Sequence, residues 1–191
     1  MMKPSQPDSF MGYERKGPRL LIRPFKSSDA DDLYRHVQDE AIARWTLRIP
    51  HPYPRDGARK FIRQSMYNRR RSRTQDFGIV PASTGKVIGA VSLMNINLTD
   101  KSAELGYWLG VEYWGRGLAT EAVDLILGLG FREMNLNRIE ADVFMENAAS
   151  QRVLEKAGFA REGVSRQSRY KHGCWHDMWR YGILRPEFEA R

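Results

Sequence analysis

An α+β fold is predicted from three features of the sequence. Apolar runs of strand length recur along the chain, stretches with helical spacing separate some of them, and no repeat or low-complexity linker divides the whole. At 191 residues the chain is one domain long and large enough to bury a real core. Hydrophobic residues at 41% and charged residues at 28% describe an ordinary globular balance, which excludes a disordered chain.

Residues 1–18 are polar, with prolines and glycines, and are expected to form a flexible arm, leaving 19–191 as the single domain. RLLIRPF, residues 19–25, is an apolar run closed by Pro24 and reads as the first strand. Ser28 is placed to cap a helix in which Ala30, Leu33, Tyr34 and Val37 share a face. A second helix follows the loop IPHPYPRD, with Asp56 as its cap and Ala58, Phe61, Ile62, Ser65 and Met66 on one side. QDFGIV (75–80), KVIGAVSLMNI (86–96) and AELGYWLG (103–110), separated by the turns ASTG and NLTDKS, read as an antiparallel meander. The stretch from Gly115 leads into a helix with Ala119, Ala122, Val123, Ile126 and Leu127 inward. RIEADVF (138–144) alternates as a strand, and ASQRVLEKAG forms a short helix ended by Gly158. Two closing strands, 159–170 and 175–184, join at KHG. The prediction is a mixed sheet of about six to seven strands with about four helices.

Charge and cysteine usage narrow the setting. The net charge is +8, and much of it sits in NRRRSR, residues 68–73, which ends the second predicted helix. A solvated helix end suits that run, because cations favour a helix C-terminus. The other reading is a patch for RNA, a ribosome or cofactor phosphates. Cys174 is alone, which excludes an internal disulfide and points to a reducing cytoplasm. The N-terminus lacks the apolar core of a signal peptide, and no apolar run approaches the roughly eighteen residues a membrane span needs. His172 and His176 flank a glycine turn without a second cysteine nearby, so no metal site is predicted.

The most informative stretch is EYWGRGLATEAVDLIL, residues 112–127. Gly115 and Gly117 flank Arg116 at a helix entrance, where free N–H groups from Arg116 to Thr120 (Gly117, Leu118 and Ala119 between them) converge on one point. Glycines let backbone approach an anion without a Cβ in the way. No lysine stands where a nucleoside-triphosphate loop requires one, and Thr120 occupies the third glycine position of a dinucleotide fingerprint. A pyrophosphate held from one side remains, beside the plainer reading of a tight turn into a helix.

With these neighbours the chain resembles the GNAT superfamily of N-acetyltransferases, and within it the branch of bacterial ribosomal-protein N-terminal acetyltransferases. The resemblance rests on RLLIRPF, PHPYPRDGARKFI, AELGYWLGVEYWGRGLATEAV, NRIEADVFMENAASQRVLEKAGF and GCWHDMWRYGIL, and covers most of residues 19–185. Its most specific block is N-x-x-S-x-x-V-L-E-K-x-G-F; Glu112 departs from the Gln or Arg that the superfamily carries three residues before the first glycine. The resemblance implies a sheet splayed between its fourth and fifth strands. It also implies acetyl-CoA as co-substrate, with Leu109, Gly110 and Val111 on the pantetheine and residues 115–120 on the pyrophosphate.

The same resemblance assigns chemistry. Glu104 falls where the family often carries a general base, Ser150 where the ribosomal branch carries its acid, and Asn147 beside the pantetheine arm. Leu154 occupies the place of the tyrosine that many members use as acid. Each has a structural counterpart reading: Glu104 as a surface salt-bridge partner, Asn147 and Ser150 as helix caps. Trp175, His176 and Asp177 match the W-x-D of the closing strand, where an exposed hairpin with a packed Trp is an equal reading. The acceptor is an amine, expected to be a protein N-terminus such as that of a ribosomal protein, with ribosome association one of the readings left open. A small amine (polyamine, aminoglycoside or amino acid) and an idle acyl-CoA sensor stay open, as do monomer and homodimer.

Overall fold

The computed structural model describes residues 14–69 and 74–191, so most of the expected arm and most of the basic run lie outside the described residues. Eight strands of the described residues form one sheet: β1 (Arg15–Lys16), β2 (Leu20–Pro24), β3 (Gln75–Pro81), β4 (Gly89–Asn97), β5 (Ser102–Leu109), β6 (Arg138–Phe144), β7 (Ala160–Lys171) and β8 (Cys174–Leu184). Their spatial order is β1-β2-β3-β4-β5-β6-β8-β7. All neighbours are antiparallel except β5 and β6, which run parallel because a helix carries the chain from one to the other.

Among the described residues six α-helices accompany the sheet: α1 (Ala30–Val37), α2 (Glu40–Trp45), α3 (Gly57–Arg69), α4 (Leu118–Gly128), α5 (Ala148–Lys156) and α6 (Arg185–Glu189). The strand count exceeds the six to seven expected because Arg15–Lys16 pairs with Leu21 and Ile22, inside the span read as an arm. The helix count exceeds four because α2 and α6 are too short to show a clear period. Each is held by a local device instead. Asp39 accepts a 2.9 Å hydrogen bond from the Ala41 N–H at the start of α2, and Glu187 accepts one of 2.8 Å from Leu184 at the start of α6. Ser28 caps nothing: it lies in a 3-10 turn, Ser27–Asp29, whose Asp29 carboxylate takes the Lys26 N–H and a bidentate pair from Arg23.

The sheet is covered on both faces, so β3 is buried at every position, its polar Gln75 and Asp76 included. On one face Phe77, Ile79, Val91, Leu93 and Leu105 meet Ala122, Val123, Ile126 and Leu127 of α4. Ile126 and Leu127 are fully enclosed, which stabilises by about 1.5–3 kcal/mol each. On the other face Val80 and Ala90 lie under Leu33 of α1 and Ile62 of α3.

The feature that positions a site is the partial pairing of β5 with β6. Only Ser102, Ala103 and Glu104 pair, with Arg138, Ile139 and Glu140; beyond them β5 stays on β4 and β6 on β8. The two strands part there, which is the expected splay, and the added β1 makes it fall between the fifth and sixth strands. No helix among the described residues is long and apolar enough to cross a membrane.

Candidate active site

Backbone at the end of β5 is turned toward this gap. The Gly110 N–H donates to the Ile88 carbonyl at 2.8 Å. In an antiparallel ladder successive residues alternate, so the peptide groups of Leu109 and Tyr107 face away from β4, toward the gap. The Leu109 carbonyl is taken by the Trp114 indole N–H at 2.8 Å, which leaves the Leu109 N–H. The carbonyls of Gly110 and Val111 close a 3-10 turn onto Tyr113 and Trp114. Glu112 turns out of the gap, its Oε1 3.0 Å from Nδ1 of buried His36.

The chain then passes through two left-handed positions, Gly115 at φ 72° and Gly117 at φ 74°, and enters α4. A Cβ on Gly115 would project into open space, so this is a cradle that a side chain would fill. Gly117 is the N-cap; its carbonyl accepts the Glu121 N–H, and the N–H groups of Leu118, Ala119 and Thr120 point out of the helix. Such an end carries partial positive charge, so the glycines and helix fit a pyrophosphate. The Arg116 guanidinium lies over the Tyr113 ring, 5.9 Å from its centre.

A brace from β2 fixes this loop. Arg19 donates from Nη1 to the Arg116 carbonyl at 2.8 Å and from Nε to Glu121 at 2.8 Å. Glu121 also accepts the N–H groups of Arg19 and Leu20. Burial alone would raise its pKa, but these hydrogen bonds outweigh burial and hold the carboxyl below its ordinary value. No reading of the sequence singled out Arg19; its partner lies 102 residues away.

Two cavities meet at the splay. The first, about 360 Å³, is lined by Leu109, Gly115, Gly117, Leu118, Ala119, Thr120, Asn147 and Ser150 among others. Of the residues expected at the co-substrate, Gly110, Val111 and Arg116 shape the turn without lining it. The second, about 390 Å³, contains Glu104, Asp76, Ser92 and Asp142. Tyr107, Trp108, Asn147 and Ser150 belong to both, with Trp45 and Thr46 of the α2 end. Glu104 and Ser150 therefore border one space, Glu104 on the second side only.

At the junction the Tyr107 phenol lies 2.7 Å from the Ser150 hydroxyl. Burial pushes the phenol well above its ordinary pKa, so it keeps its proton. Asn147 is the N-cap of α5, accepting the Ser150 N–H at 3.1 Å, which fits the capping reading while leaving the residue on both cavity walls. Leu154 is fully buried beneath α5. A phenol does reach this helix, but from β5. Glu104 accepts a 2.7 Å hydrogen bond from the Asn95 amide.

Lys171 on β7 donates its ammonium to the carbonyls of Ala43 and Thr46, tying the β7–β8 hairpin to the C-terminal end of α2. Burial lowers its pKa. The W-x-D residues stay off both cavities. Exposed Trp175 packs at a tilt against Tyr170, His176 packs edge-on against Phe144, and Asp177 accepts the Gln167 N–H. No group of three or more metal-ligating side chains occurs among the described residues.

This geometry agrees with the relatives of the chain. Residues 19–160 match the family model described as Acetyltransferase (GNAT) domain. "Probable N-acetyltransferase YjcK" of Bacillus subtilis (strain 168) is 36% identical over 178 residues, 91% of this chain and 98% of that protein. Spermidine N(1)-acetyltransferase of Escherichia coli (strain K12) is 25% identical over 90% of this chain and 89% of its own length. The crystal structure of a ribosomal-protein-S5-alanine acetyltransferase from Vibrio fischeri superposes with a TM-score of 0.82 at 26% identity, over 92% of this chain and 98% of that one. With the splayed sheet, the glycine-lined helix entrance and these matches together, the chain belongs to the GNAT family and is an N-acetyltransferase.

Proposed function

We propose that this N-acetyltransferase moves the acetyl group of acetyl-CoA onto the N-terminal amine of a protein, such as a ribosomal protein. The supporting observation is that two cavities share Tyr107, Asn147 and Ser150, so a donor in one and an amine in the other would meet at those residues. The likeness to the Vibrio fischeri enzyme supports the choice of acceptor.

Bound acetyl-CoA supplies an acetyl group activated as a thioester. The N–H groups of Leu118, Ala119 and Thr120 hold its pyrophosphate, with Gly115, Arg116 and Gly117 forming the cradle. Leu109 and Asn147 line the pantetheine side, with Gly110 and Val111 shaping the turn beside them. The Leu109 N–H is aimed at the gap, where a donor stabilises charge on the acetyl oxygen. Ser150 gives a proton to the departing thiolate and regains one from the acceptor nitrogen as the amide forms. When Tyr107 donates to the Ser150 oxygen, the Ser150 proton is left to point into the cleft. Glu104, on the acceptor side, takes the ammonium proton through water.

A second reading, a small-molecule amine, is favoured by one observation. Asp76 and Glu104 put carboxyls on the wall of the acceptor cavity although the chain carries +8, beside Arg48 and an Asp142 that is paired with Arg169. Thiol release from acetyl-CoA with peptides starting Ala, Ser or Met, beside spermidine and an aminoglycoside, separates the two. Preferred turnover of a peptide supports the proposal; turnover confined to spermidine or the aminoglycoside replaces it.

A further inference from the structure

His36 is a buried imidazole that no step of the proposed transfer uses. It stands in the last turn of α1 at 8% exposure, beside Leu33 and Val37, which bury that helix in the core. Its Nδ1 lies 3.0 Å from Glu112 Oε1, and a carboxylate only accepts, so Nδ1 is the donor. The same ring meets Tyr113 edge-on, with centres 5.5 Å apart. Tyr113 in turn lines the first cavity and carries the Arg116 guanidinium over its face.

Gly110 shows how closely this contact is drawn. Its φ of −51° and ψ of 140° are open to any residue, so backbone conformation does not call for glycine there. Space does. A Cβ on Gly110 would come within 2.8 Å of His36 Nδ1 and 3.0 Å of Glu112 Oε2. The two side chains thus close over the Gly110 Cα like a clasp, one residue past the end of β5. Gly110 donates to the Ile88 carbonyl and accepts from the Tyr113 N–H, so what fixes it also fixes the Leu109 peptide before it and the turn after it. More than half of the Glu112 side chain is exposed, and ion pairs so placed add little to global stability. The clasp therefore sets local geometry more than it holds the fold.

We propose that His36 is a positioning residue for the donor: with Glu112 it clasps Gly110 and so fixes the Leu109 N–H and the Tyr113 ring where acetyl-CoA meets them. The clasp rests on the reading of the first cavity as the donor chamber. Neither side chain lines either cavity, so both act through the Gly110 backbone and Tyr113 rather than on a substrate. The acceptor side, built on β3, β4 and the start of β5, is left untouched by it.

Isothermal titration of acetyl-CoA into the full chain tests the clasp without needing an acceptor, and the stoichiometry separates weaker binding from a misfolded fraction. Glu112→Ala should raise the acetyl-CoA Kd by roughly tenfold at unchanged stoichiometry. Glu112→Gln keeps an acceptor for Nδ1 and should recover most of the loss. Gly110→Ala should also raise the Kd by roughly tenfold, because its methyl pushes the clasp open. Added to His36→Ala it should cost little more than His36→Ala alone, since the space is then vacant. If His36→Ala does not fold, the two Glu112 variants decide. In thiol release with the amine the panel above selects, the amine KM of Glu112→Ala should stay within about twofold of the unaltered chain, as expected for a change that reaches only the donor. An unchanged Kd in Glu112→Ala, a glutamine variant as weak as the alanine one, or full additivity of Gly110→Ala with His36→Ala overturns the clasp and leaves the acetyltransferase reading intact. No binding of acetyl-CoA by the unaltered chain overturns the donor chamber and the clasp together.

Discussion

The phenol of Tyr107 on β5 and the hydroxyl of Ser150 on α5 stand 2.7 Å apart across the mouth of the splayed sheet. A proton donor that is itself held by a second, permanently protonated group has a fixed direction. Ser150→Ala is therefore expected to lower kcat by roughly a hundredfold with the acetyl-CoA KM close to that of the unaltered chain. Tyr107→Phe should lower kcat less, and the double variant should be no slower than Ser150→Ala alone, because the two act as one unit. Steady-state thiol release reads all three; wild-type turnover in Ser150→Ala removes it from the mechanism.

Gly117 cannot be replaced without cost. Its φ of 74° belongs to a region that other L-residues enter at about 1–2 kcal/mol, although an added Cβ would make only ordinary contact with the Arg19 guanidinium. Gly117→Ala should lose about that much stability in thermal unfolding and raise the acetyl-CoA KM several-fold, with kcat at saturation much less affected.

Glu121 makes the cradle acid-sensitive. Its folded pKa lies below the ordinary carboxyl value of 4.5, so its contribution is fully present above that value and disappears as pH falls through the lower folded one. Glu121→Gln should be less stable than the unaltered chain at neutral pH, and the difference should shrink in acid below about pH 4. Denaturant midpoints measured across pH would show the convergence; parallel curves would refute it.

Lys171 ties the hairpin to the carbonyls of Ala43 and Thr46, on either side of Trp45; Trp45 and Thr46 wall both cavities. Lys171→Met keeps the length and removes the donor. The amine KM should rise several-fold and Lys171→Arg should recover part of it. An unchanged amine KM in the methionine variant would make the tie purely structural.

Much of the fold was open to reading because long elements carry their own periodicity. The inward face of α4, Ala122, Val123, Ile126 and Leu127, is spaced as a helix demands, and the meander of β3, β4 and β5 is punctuated by turn residues. Short elements were missed for a physical reason: α2 is six residues long, and its far end is held by an ammonium 125 and 128 residues away, which no local pattern encodes. The same holds at the site. A phenol was sought on α5, where Leu154 fills the core, while the one present arrives from β5, 43 residues before its partner. His36 and Glu112 read as one helix position and one turn position among many until α1 and the end of β5 brought them within 3.0 Å.

The indole of Trp114, whose N–H rests on the Leu109 carbonyl, stands at the rim of the first cavity, and Trp45 and Trp108 line both. Three of the five tryptophans thus surround the place where chemistry would occur. The chain carries its own optical gauge of occupancy: filling either chamber changes the surroundings of those rings and shifts or quenches their emission, so donor and acceptor can each be titrated on the unlabelled protein.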